Sequence, residues 1–331
     1  MSELALAAFA SHTDSHLVTQ PRSERFARFR REFDAHAYLA DLEKRGLHWA
    51  PRSSPSFPRA LAAIFDAPPG LFVRGGSGLA LLDRPAAAVV GARSCSSYGA
   101  EVARMLGREL AAAGLVVVSG LARGVDGHAH RGALDAGGLT VAVLGCGIDR
   151  DYPAVHAELA ARICEHGLVV SEYAPGVEPA PWRFPARNRI IAGLAQATIV
   201  VEARERSGAL ITADLALEEG REVFAVPGDI TSSLSTGSNR LLKHGASPLT
   251  GVSDVLEFFG IEAQPPASPA ELGETAIRVL AQIELEPSGV DALARAVELE
   301  AREVAAILTE LELLGAVSER DGFFRVVRPL G

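Results

Sequence analysis

The alternation of strands and helices is clearest in residues 86–144, which read AAAVVGARSCSSYGAEVARMLGRELAAAGLVVVSGLARGVDGHAHRGALDAGGLTVAVL. Residues 86–90, 115–119 and 140–144 are almost entirely apolar, which is typical of strands that are buried on both faces of a parallel sheet. The segments between them, 100–113 and 125–136, have the apolar spacing of amphipathic helices. This alternation predicts an α/β fold with a Rossmann-like, doubly wound, mostly parallel sheet.

The same alternation continues to residue 262 and then stops. Further strands are predicted at 168–170, 198–202 and 222–226, and further helices at 154–166, 188–195 and 209–219. PPASP at 265–269 predicts a stiff linker, and the three helical segments and the terminal hairpin after it fit a winged helix. Helical spacing over 25–45 indicates a small N-terminal helical module, whose first residues are expected to be disordered. We therefore predict a helical module, a Rossmann-like domain, a linker and a winged helix over 1–78, 79–262, 263–270 and 271–331.

Composition excludes several classes of protein. The chain has 331 residues, a net charge of −9 and 48% hydrophobic residues, so a large core is available. No apolar run of about eighteen residues and no basic-then-apolar start occur, so neither a membrane span nor a signal peptide is predicted. Cys95, Cys146 and Cys164 lack metal-ligand spacing and fit small core residues in a reducing cytoplasm. Binding of nucleic acid must come from local positive charge, because the net charge opposes it.

Loops after the first two predicted strands carry glycine, serine and arginine. Ligands of an open α/β sheet bind beyond the carboxyl ends of its strands. Arg93 and Ser94 follow the first strand, ahead of a helix N-terminus that favours anions. Serine caps on an ordinary loop explain this segment equally well. After the second strand, Gly120 and Gly124 flank Arg123 and would let backbone N–H groups approach a phosphate.

The strongest local signal is WRFPARNR at 182–189, which is read as a loop after the fourth strand. Aromatic faces stack on unpaired bases and arginines neutralise phosphates, so this segment is a candidate for binding single-stranded DNA. The alternative is a loop folded under its own aromatic residues. The candidate residues are Trp182, Arg183, Phe184, Arg187, Asn188 and Arg189. A helix N-terminus at Ser207 and Gly208, together with Lys243, completes the predicted DNA-binding set.

No catalytic residue, metal site or cofactor is predicted. The sequence has no nucleophile elbow with a Ser/His/Asp set and no lysine after a Walker-type glycine loop. His128 and His130 would diverge by about 200° on a helix, which favours capping and packing over metal binding. The sequence therefore predicts a binding protein rather than an enzyme.

Several motifs resemble those of the DNA-processing protein A family, which is also called DprA or Smf. They are SGLARGVD at 119–126, VLGCGIDRDYP at 143–153, FPARNRIIAGL at 184–194, VVEARERSGALITA at 200–213 and GSNRLLKHGA at 237–246. The resemblance implies a non-enzymatic cytoplasmic homodimer that binds and protects single-stranded DNA. It also implies loading of the RecA recombinase during natural transformation (competence) and DNA repair. In the flanks it is looser and implies a SAM-like or helix-hairpin-helix module and a winged helix.

The resemblance also implies where the DNA-binding pocket and the dimer surface lie. It places a basic pocket on Arg93, the Arg123 loop, Phe184, Arg187 and Arg189. Some relatives carry a lysine shortly before the Phe-Pro pair, where this chain has Pro181. The dimer surface is expected near the apolar cluster at 252–259, for which core packing is an equal alternative.

Charge differs between the two ends of the chain. Residues 271–331 contain six arginines and twelve acidic residues, so we predict that the winged helix serves protein contacts and binds double-stranded DNA weakly, if at all. The arginines within 22–31 either extend the DNA path or lie on a solvated helix face.

Two other functions are weighed against DNA binding. The first is a Rossmann-type nucleotide-processing enzyme similar to the cytokinin-activating phosphoribohydrolases. Those carry a PGGxGT motif, which is absent here; the comparable residues are Ser207, Gly208 and Ala209. The second, a purely structural interaction module, would leave the arginines at the strand ends unexplained.

Overall fold

The computed structural model describes residues 2–12, 24–262, 273–313, 316–320 and 322–326. The chain divides into two compact units, Met1–Glu262 and Ala263–Gly331. Each unit has its own hydrophobic core. The linker predicted at 263–270 lies outside the described residues.

A nine-stranded sheet forms the centre of the first unit. Its strands are β1 (His48–Pro51), β2 (Gly70–Arg74), β3 (Ala86–Val90), β4 (Val116–Ser119), β5 (Thr140–Val143), β6 (Leu168–Ser171), β7 (Ala197–Val200), β8 (Glu222–Ala225) and β9 (Ser247–Pro248). Their order in space is β1-β2-β6-β5-β4-β3-β7-β8-β9. β3 to β9 all run parallel, whereas β2 pairs antiparallel with both β1 and β6. The predicted doubly wound, mostly parallel sheet is confirmed.

Helices cover both faces of this sheet. They are α1 (Ser2–His12), α2 (Glu24–Glu32), α3 (Ala35–Lys44), α4 (Arg59–Ala62), α5 (Ser97–Ala112), α6 (Val125–Asp135), α7 (Ala157–His166), α8 (Arg183–Leu194), α9 (Gly208–Glu218), α10 (Thr236–Lys243) and α11 (Val252–Phe258). Alternate residues of a strand point to opposite faces, so Val90 and Val118 belong to one core cluster and Val89 and Val117 to another. None of the helices in the described ranges is both long and apolar enough to cross a membrane.

The order of the strands reverses next to β3. β4, β5 and β6 extend the sheet on one side of β3, and β7, β8 and β9 extend it on the other. The loops that follow β3 and β7 therefore lead away from each other. At such a point an open α/β sheet leaves a crevice beyond the carboxyl ends of its strands.

The N-terminal region differs from the prediction in two respects. β1 and β2 belong to the main sheet, so residues 1–78 are part of the first unit rather than a separate helical module. Leu71 and Phe72 of β2 are fully buried, because they cover the side of the sheet next to β6. Ser2–His12, which lies in the start of the chain that was expected to be disordered, forms the helix α1, and its Leu4 and Ala7 are buried in the core.

The segment at 252–259, where the dimer surface is expected, forms α11 and its C-terminal cap. Val255 and Leu256 are buried in the core, whereas Phe258 is 46% exposed. Burial of the first two residues supports the core-packing alternative for them. The dimer surface stays a prediction.

The described residues of the second unit form three helices and a β-hairpin, as the sequence predicts for a winged helix. The elements are α12 (Glu274–Leu285), α13 (Val290–Val297), α14 (Ala301–Leu313), β10 (Val317–Arg320) and β11 (Phe323–Val326). Val279, Leu280, Leu293 and Val304 lie in its core. The two strands pair antiparallel, with Val317 opposite Val326.

Candidate nucleic-acid interface

A cleft of about 460 Å³ opens beyond the carboxyl ends of β3, β4 and β7, where the order of the strands reverses. The loops after these strands and the first turns of α8 and α9 form its walls. Of the predicted DNA-binding set, the residues that line it are Arg93, Phe184, Arg187, Asn188, Ser207 and Gly208. The expectation that strand-end loops converge is therefore met for these six residues, which are separated by up to 115 positions in the chain.

One side of the cleft is a stack of three side chains. The Arg93 guanidinium carbon lies 5.1 Å from the centroid of the Phe184 ring. The Tyr152 ring stacks on Phe184 with a centroid distance of 5.4 Å and an interplanar angle of 27°. Tyr152 is 41% exposed, and the sequence prediction did not include it. The signal for it was present in the DYP triplet at 151–153, next to a strand end.

Two carboxylate contacts hold the loop that carries Arg93. The Ser96 backbone N–H donates to Glu202 (2.8 Å), and the Ser96 hydroxyl donates to the same carboxylate. The Ser96 oxygen in turn accepts from the Gly99 N–H at 3.0 Å and caps α5. The serine-cap interpretation is thus correct for Ser96, while Arg93 and Ser94 are exposed to solvent. Ser94 does not line the cleft.

The loop after β4 makes a tight turn next to the Arg93 loop. Gly124 has φ +74°, and a Cβ atom there would lie 2.2 Å from the Ala92 carbonyl oxygen, so only glycine fits. Arg123, immediately before it, is exposed. No carboxylate lies within 4.0 Å of Arg93 or Arg123 among the residues described in the structure. These two arginines therefore carry positive charge that is free for an anion.

Asp126 closes the base of the same loop. Its carboxylate accepts from the backbone N–H groups of Gly120 (3.1 Å) and Ala122 (3.3 Å). Burial raises the pKa of Asp126, and the nearby Arg187 guanidinium opposes that rise. The backbone groups of Gly120 therefore stabilise the loop. Its N–H donates to Asp126, and its carbonyl oxygen accepts from Arg187 at 2.7 Å. It does not line the cleft.

WRFPARNR is not a loop, as the sequence predicted, but the start of a helix. α8 begins at Arg183, five residues before the predicted start at 188. Arg183 and Arg187 are one helical turn apart, and both are buried. The helical period therefore turns these two arginines into the protein, where they find internal acceptors.

Arg187 forms part of the floor of the cleft. Its guanidinium donates to the carbonyl oxygens of Gly120 (2.7 Å) and Val143 and to the Asn188 side-chain oxygen (3.2 Å). Burial lowers the pKa of Arg187 to about 10, and the Asp126 carboxylate opposes this shift. Most of the N–H groups of its guanidinium donate to acceptors within the protein. The main role of Arg187 is therefore to hold the surrounding loops in place.

Arg183 and Arg189 also have internal partners. Arg183 donates to the Glu178 carbonyl oxygen, and its guanidinium lies over the rings of Trp182 (4.8 Å) and Tyr173 (5.2 Å). Arg189 forms ion pairs with Glu172 (2.6 Å) and Asp66 (3.0 Å). Neither arginine lines the cleft, and neither does Trp182, which is 41% exposed at the start of α8.

The opposite wall of the cleft is the N-terminus of α9. Ser207 caps it by accepting from the Ala209 N–H at 3.3 Å, and Asn188 donates to the Gly208 carbonyl oxygen at 3.1 Å. A Cβ atom on Gly208 would meet nothing within 4 Å, so the first turn of α9 is open to a ligand. A helix N-terminus of this kind favours an anion.

Lys243 lies away from the cleft. It is the last residue of α10, which connects the parallel strands β8 and β9. Such a helix runs back from the carboxyl ends of the strands, so its C-terminal end lies toward the opposite edge of the sheet. The structure does not bring Lys243 together with the other predicted residues.

Comparison with known protein families is consistent with this geometry. A family model described as DNA recombination-mediator protein A matches residues 48–260. The chain belongs to this family. A second model, described as the DprA winged helix domain, matches residues 263–322.

Curated relatives of this recombination-mediator family match over much of the chain. Protein Smf of Escherichia coli is 40% identical over 94% of this chain and 87% of its own length. A DNA processing protein DprA of Mycobacterium tuberculosis is 45% identical over 73% of this chain. The match spans 64% of the length of that relative.

Solved structures of the same family share the fold. DNA processing protein A from Streptococcus pneumoniae superposes with a TM-score of 0.67 and 40% identity over 77% of this chain and 92% of that one. The Helicobacter pylori protein superposes with a TM-score of 0.58 and 30% identity over 65% of this chain and 97% of that one. The work on the H. pylori protein concerns its mode of binding single-stranded DNA. The family is thus described by DNA processing and recombination mediation.

Histidine is a common metal ligand, so the surroundings of the histidines bear on metal binding. Among the described residues, no three His, Cys, Asp or Glu side chains lie close enough together to hold a metal ion. His130 is fully buried, and its Nδ1 is 2.7 Å from the Thr140 hydroxyl. Burial lowers the pKa of His130 to about 3, so the imidazole is neutral. It therefore has the packing role that its spacing from His128 favours.

Proposed function

We propose that this protein is a recombination mediator that binds single-stranded DNA in the cleft between the Arg93–Phe184–Tyr152 stack and the N-terminus of α9. It acts as a homodimer in the cytoplasm, protects incoming single strands, and loads RecA onto them during natural transformation and DNA repair. The stack is the observation that carries the proposal, because it combines a guanidinium with exposed aromatic surface at the mouth of one cleft.

The chemistry of the two walls fits an unpaired strand. An unstacked base gains contact with the Tyr152 and Phe184 rings, while its phosphates meet Arg93, Arg123 and the open amides of α9. A duplex keeps its bases stacked inside the helix and cannot offer one to the rings. The cleft therefore favours single strands over duplexes.

The alternative of a nucleotide-processing enzyme has less support. The buried carboxylate in the cleft, Asp126, already accepts two backbone N–H groups, and the buried guanidinium, Arg187, donates to backbone carbonyls. Both groups hold the loops in place. Because their hydrogen-bonding atoms are already engaged, they are poorly suited to transfer protons to or from a substrate. We expect no release of free base from nucleoside monophosphates.

RecA loading and dimerisation rest on the family rather than on a surface of this chain. The family model is described as a recombination mediator, and relatives from Mycobacterium tuberculosis and Streptococcus pneumoniae are described as DNA processing proteins. We expect the protein to shorten the lag of RecA-dependent ATP hydrolysis on single strands that are precoated with single-strand-binding protein. An unchanged lag would limit the function to DNA binding.

A fluorescence anisotropy titration at two salt concentrations tests the cleft. Phe184→Leu removes a stacking ring and should weaken binding of a single-stranded oligonucleotide by about 1–3 kcal/mol, or roughly 5- to 150-fold. Arg93→Ala removes one phosphate partner and should reduce the salt slope by about 0.7. Lys243→Ala is the matched control and should change neither quantity, because Lys243 lies outside the cleft. Wild-type affinity in both cleft variants would refute the site.

A further inference from the structure

We propose that α2 is a second contact site for the phosphates of the bound strand, outside the cleft. The proposal rests on the DNA-binding function proposed above. α2 reads ERFARFRRE, with four arginines against two glutamates in nine residues of a chain whose net charge is −9. The four arginines, Arg25, Arg28, Arg30 and Arg31, are all exposed, and they surround one shallow surface depression.

The arginines of α2 are poorly neutralised by the protein itself. Arg28 lies 3.5 Å from Glu32, and both side chains are more than 70% exposed, so this pair is worth little. Arg25, Arg30 and Arg31 have no carboxylate within 4.0 Å in the part of the chain that the structure describes. Their charge is therefore available to a partner.

Helix stability does not explain the arrangement. Arg30 and Arg31 lie in the last turn, where cations are favourable, but Arg25 lies in the first turn, where the helix dipole opposes a positive charge. Arg25, Arg28 and Arg31 follow each other at intervals of three residues, so each is a neighbour of the next on the helix surface. Like charges at this spacing destabilise a helix. A chain of phosphates would relieve this repulsion.

The aromatic face of α2 fixes the basic face toward solvent. Phe26 is 4% exposed, and the rings of Phe26 and Phe29 lie 5.4 and 5.3 Å from that of Phe9 in α1. α1 is itself buried in the core of the first unit through Leu4 and Ala7. The packing of α2 on α1 therefore fixes the position of the arginines on the remaining, solvent-exposed surface of α2.

The same packing argues against a membrane surface as the partner. Helices that bind membranes insert an apolar face into the lipid. On α2 that face is turned into the protein, so only the basic face is offered. Guanidinium groups bind phosphates through paired hydrogen bonds, which makes nucleic acid the better ligand.

α3 sets the distance between α2 and the cleft. Arg45, the C-terminal cap of α3, forms an ion pair with Asp149 at 2.8 Å. Asp149 lies three residues before Tyr152 of the cleft. α3 has 10 residues, or about 15 Å, and α2 adds about 14 Å at 1.5 Å per residue. The Arg45–Asp149 side chains and the three residues to Tyr152 add about 20 Å at most, so the basic face lies within about 50 Å of that rim, in reach of a strand that leaves the cleft past Tyr152.

The test compares two lengths of labelled oligothymidylate bound to the full chain. One of about 6 nucleotides fills the cleft, and one of about 30 nucleotides also reaches α2. The variant combines Arg25→Ala, Arg28→Ala and Arg31→Ala, which keeps the aromatic face and the helix propensity. For the long oligonucleotide, we expect the salt slope to fall by about 2, at about 0.7 per arginine, and the affinity at low salt to fall about tenfold or more. Binding of the short oligonucleotide should be unchanged.

A matched control replaces two exposed arginines and one half-buried arginine, all of which already have carboxylate partners. Arg104 and Arg162 lie 2.6 and 3.7 Å from Asp135, and Arg108 lies 3.7 Å from Glu109. Their triple alanine variant should bind both lengths like the wild type. An unchanged slope for the long oligonucleotide in the α2 variant would overturn the proposal. An equal loss for both lengths would also overturn it, because the helix would then support the fold instead of contacting the distal strand. Failure of the wild type to bind the short oligonucleotide would instead refute the cleft.

Discussion

Replacing Arg187 with methionine is expected to lower the free energy of unfolding by about 4 kcal/mol. Arg187 is 4% exposed, and its guanidinium donates to two carbonyl oxygens and one side-chain amide oxygen. Hydrogen bonds to a charged group contribute about 1.5–3 kcal/mol each, so their loss costs roughly 4–9 kcal/mol. Burial lowers the pKa of Arg187 from 12.5 to about 10, so the charged form is disfavoured at this position, and the methionine variant recovers part of the lost stability. The difference is a few kcal/mol.

Thermal and urea unfolding measure this effect. For a unit of this size, 4 kcal/mol corresponds to a fall in Tm of about 10 °C. Arg93→Met is the matched control, because Arg93 comes from the same cleft but is exposed and makes no ion pair among the described residues. Its Tm should stay within about 2 °C of the wild type, while its affinity for single-stranded DNA falls.

Arg187→Met should also bind DNA less well, because the Gly120 loop loses a donor. If Arg187→Met melted with the wild type and lost affinity like Arg93→Met, Arg187 would be a phosphate contact and the structural assignment would be wrong.

Three further predictions concern other parts of the molecule. The pKa of His130 is lowered from 6.5 to about 3 in the folded protein, so the unfolded chain takes up the proton first, and the free energy of unfolding should fall by about 2 kcal/mol between about pH 7 and pH 5. Gly124→Ala should cost about 1–3 kcal/mol and weaken DNA binding, because φ is +74° and the new methyl group would meet the Ala92 carbonyl at 2.2 Å. Removal of 263–331 should leave the affinity for single-stranded DNA unchanged, because 271–331 carries twice as many acidic residues as arginines.

Each of these three predictions can be contradicted by a specific result. A His130→Gln variant should lack that part of the pH dependence, and an identical pH profile would assign it to other groups. Gly114→Ala is a control for Gly124, because Gly114 also has positive φ but open space around its Cβ position; equal losses of DNA affinity would exclude a local effect on the Arg123 turn. Loss of single-strand affinity on truncation would show that the acidic winged helix contributes to binding.

The order of strands and helices was predictable from the sequence because it depends on local patterns. Val, Ile, Leu and Ala in runs of four or five residues favour strands that are buried on both faces, so β3 to β8 were found close to their observed limits. The helices between them were also found, except that the start of α8 was predicted five residues too late. The convergence of Arg93, Phe184 and Gly208 followed from topology, because parallel strands end at one edge of a sheet. β1 was missed because its four residues include Pro51 and the strand forms an edge, where local patterns are weak.

The sequence by itself determined that loops at the carboxyl ends of parallel strands meet at one edge of the sheet. Only the tertiary structure decided which of their residues line the cleft and which of their charges a ligand can use. Arg93 and Arg187 are the same residue type at the ends of neighbouring elements, and no local pattern separates them. Arg187 finds acceptors at Gly120 and Val143, 67 and 44 positions earlier in the chain, and becomes buried. Arg93 lies against the Phe184 ring, has no ion pair among the described residues and stays exposed. Whether an arginine stabilises the fold or binds a ligand depends on these long-range partners, because burial and hydrogen bonding arise only when the chain is folded.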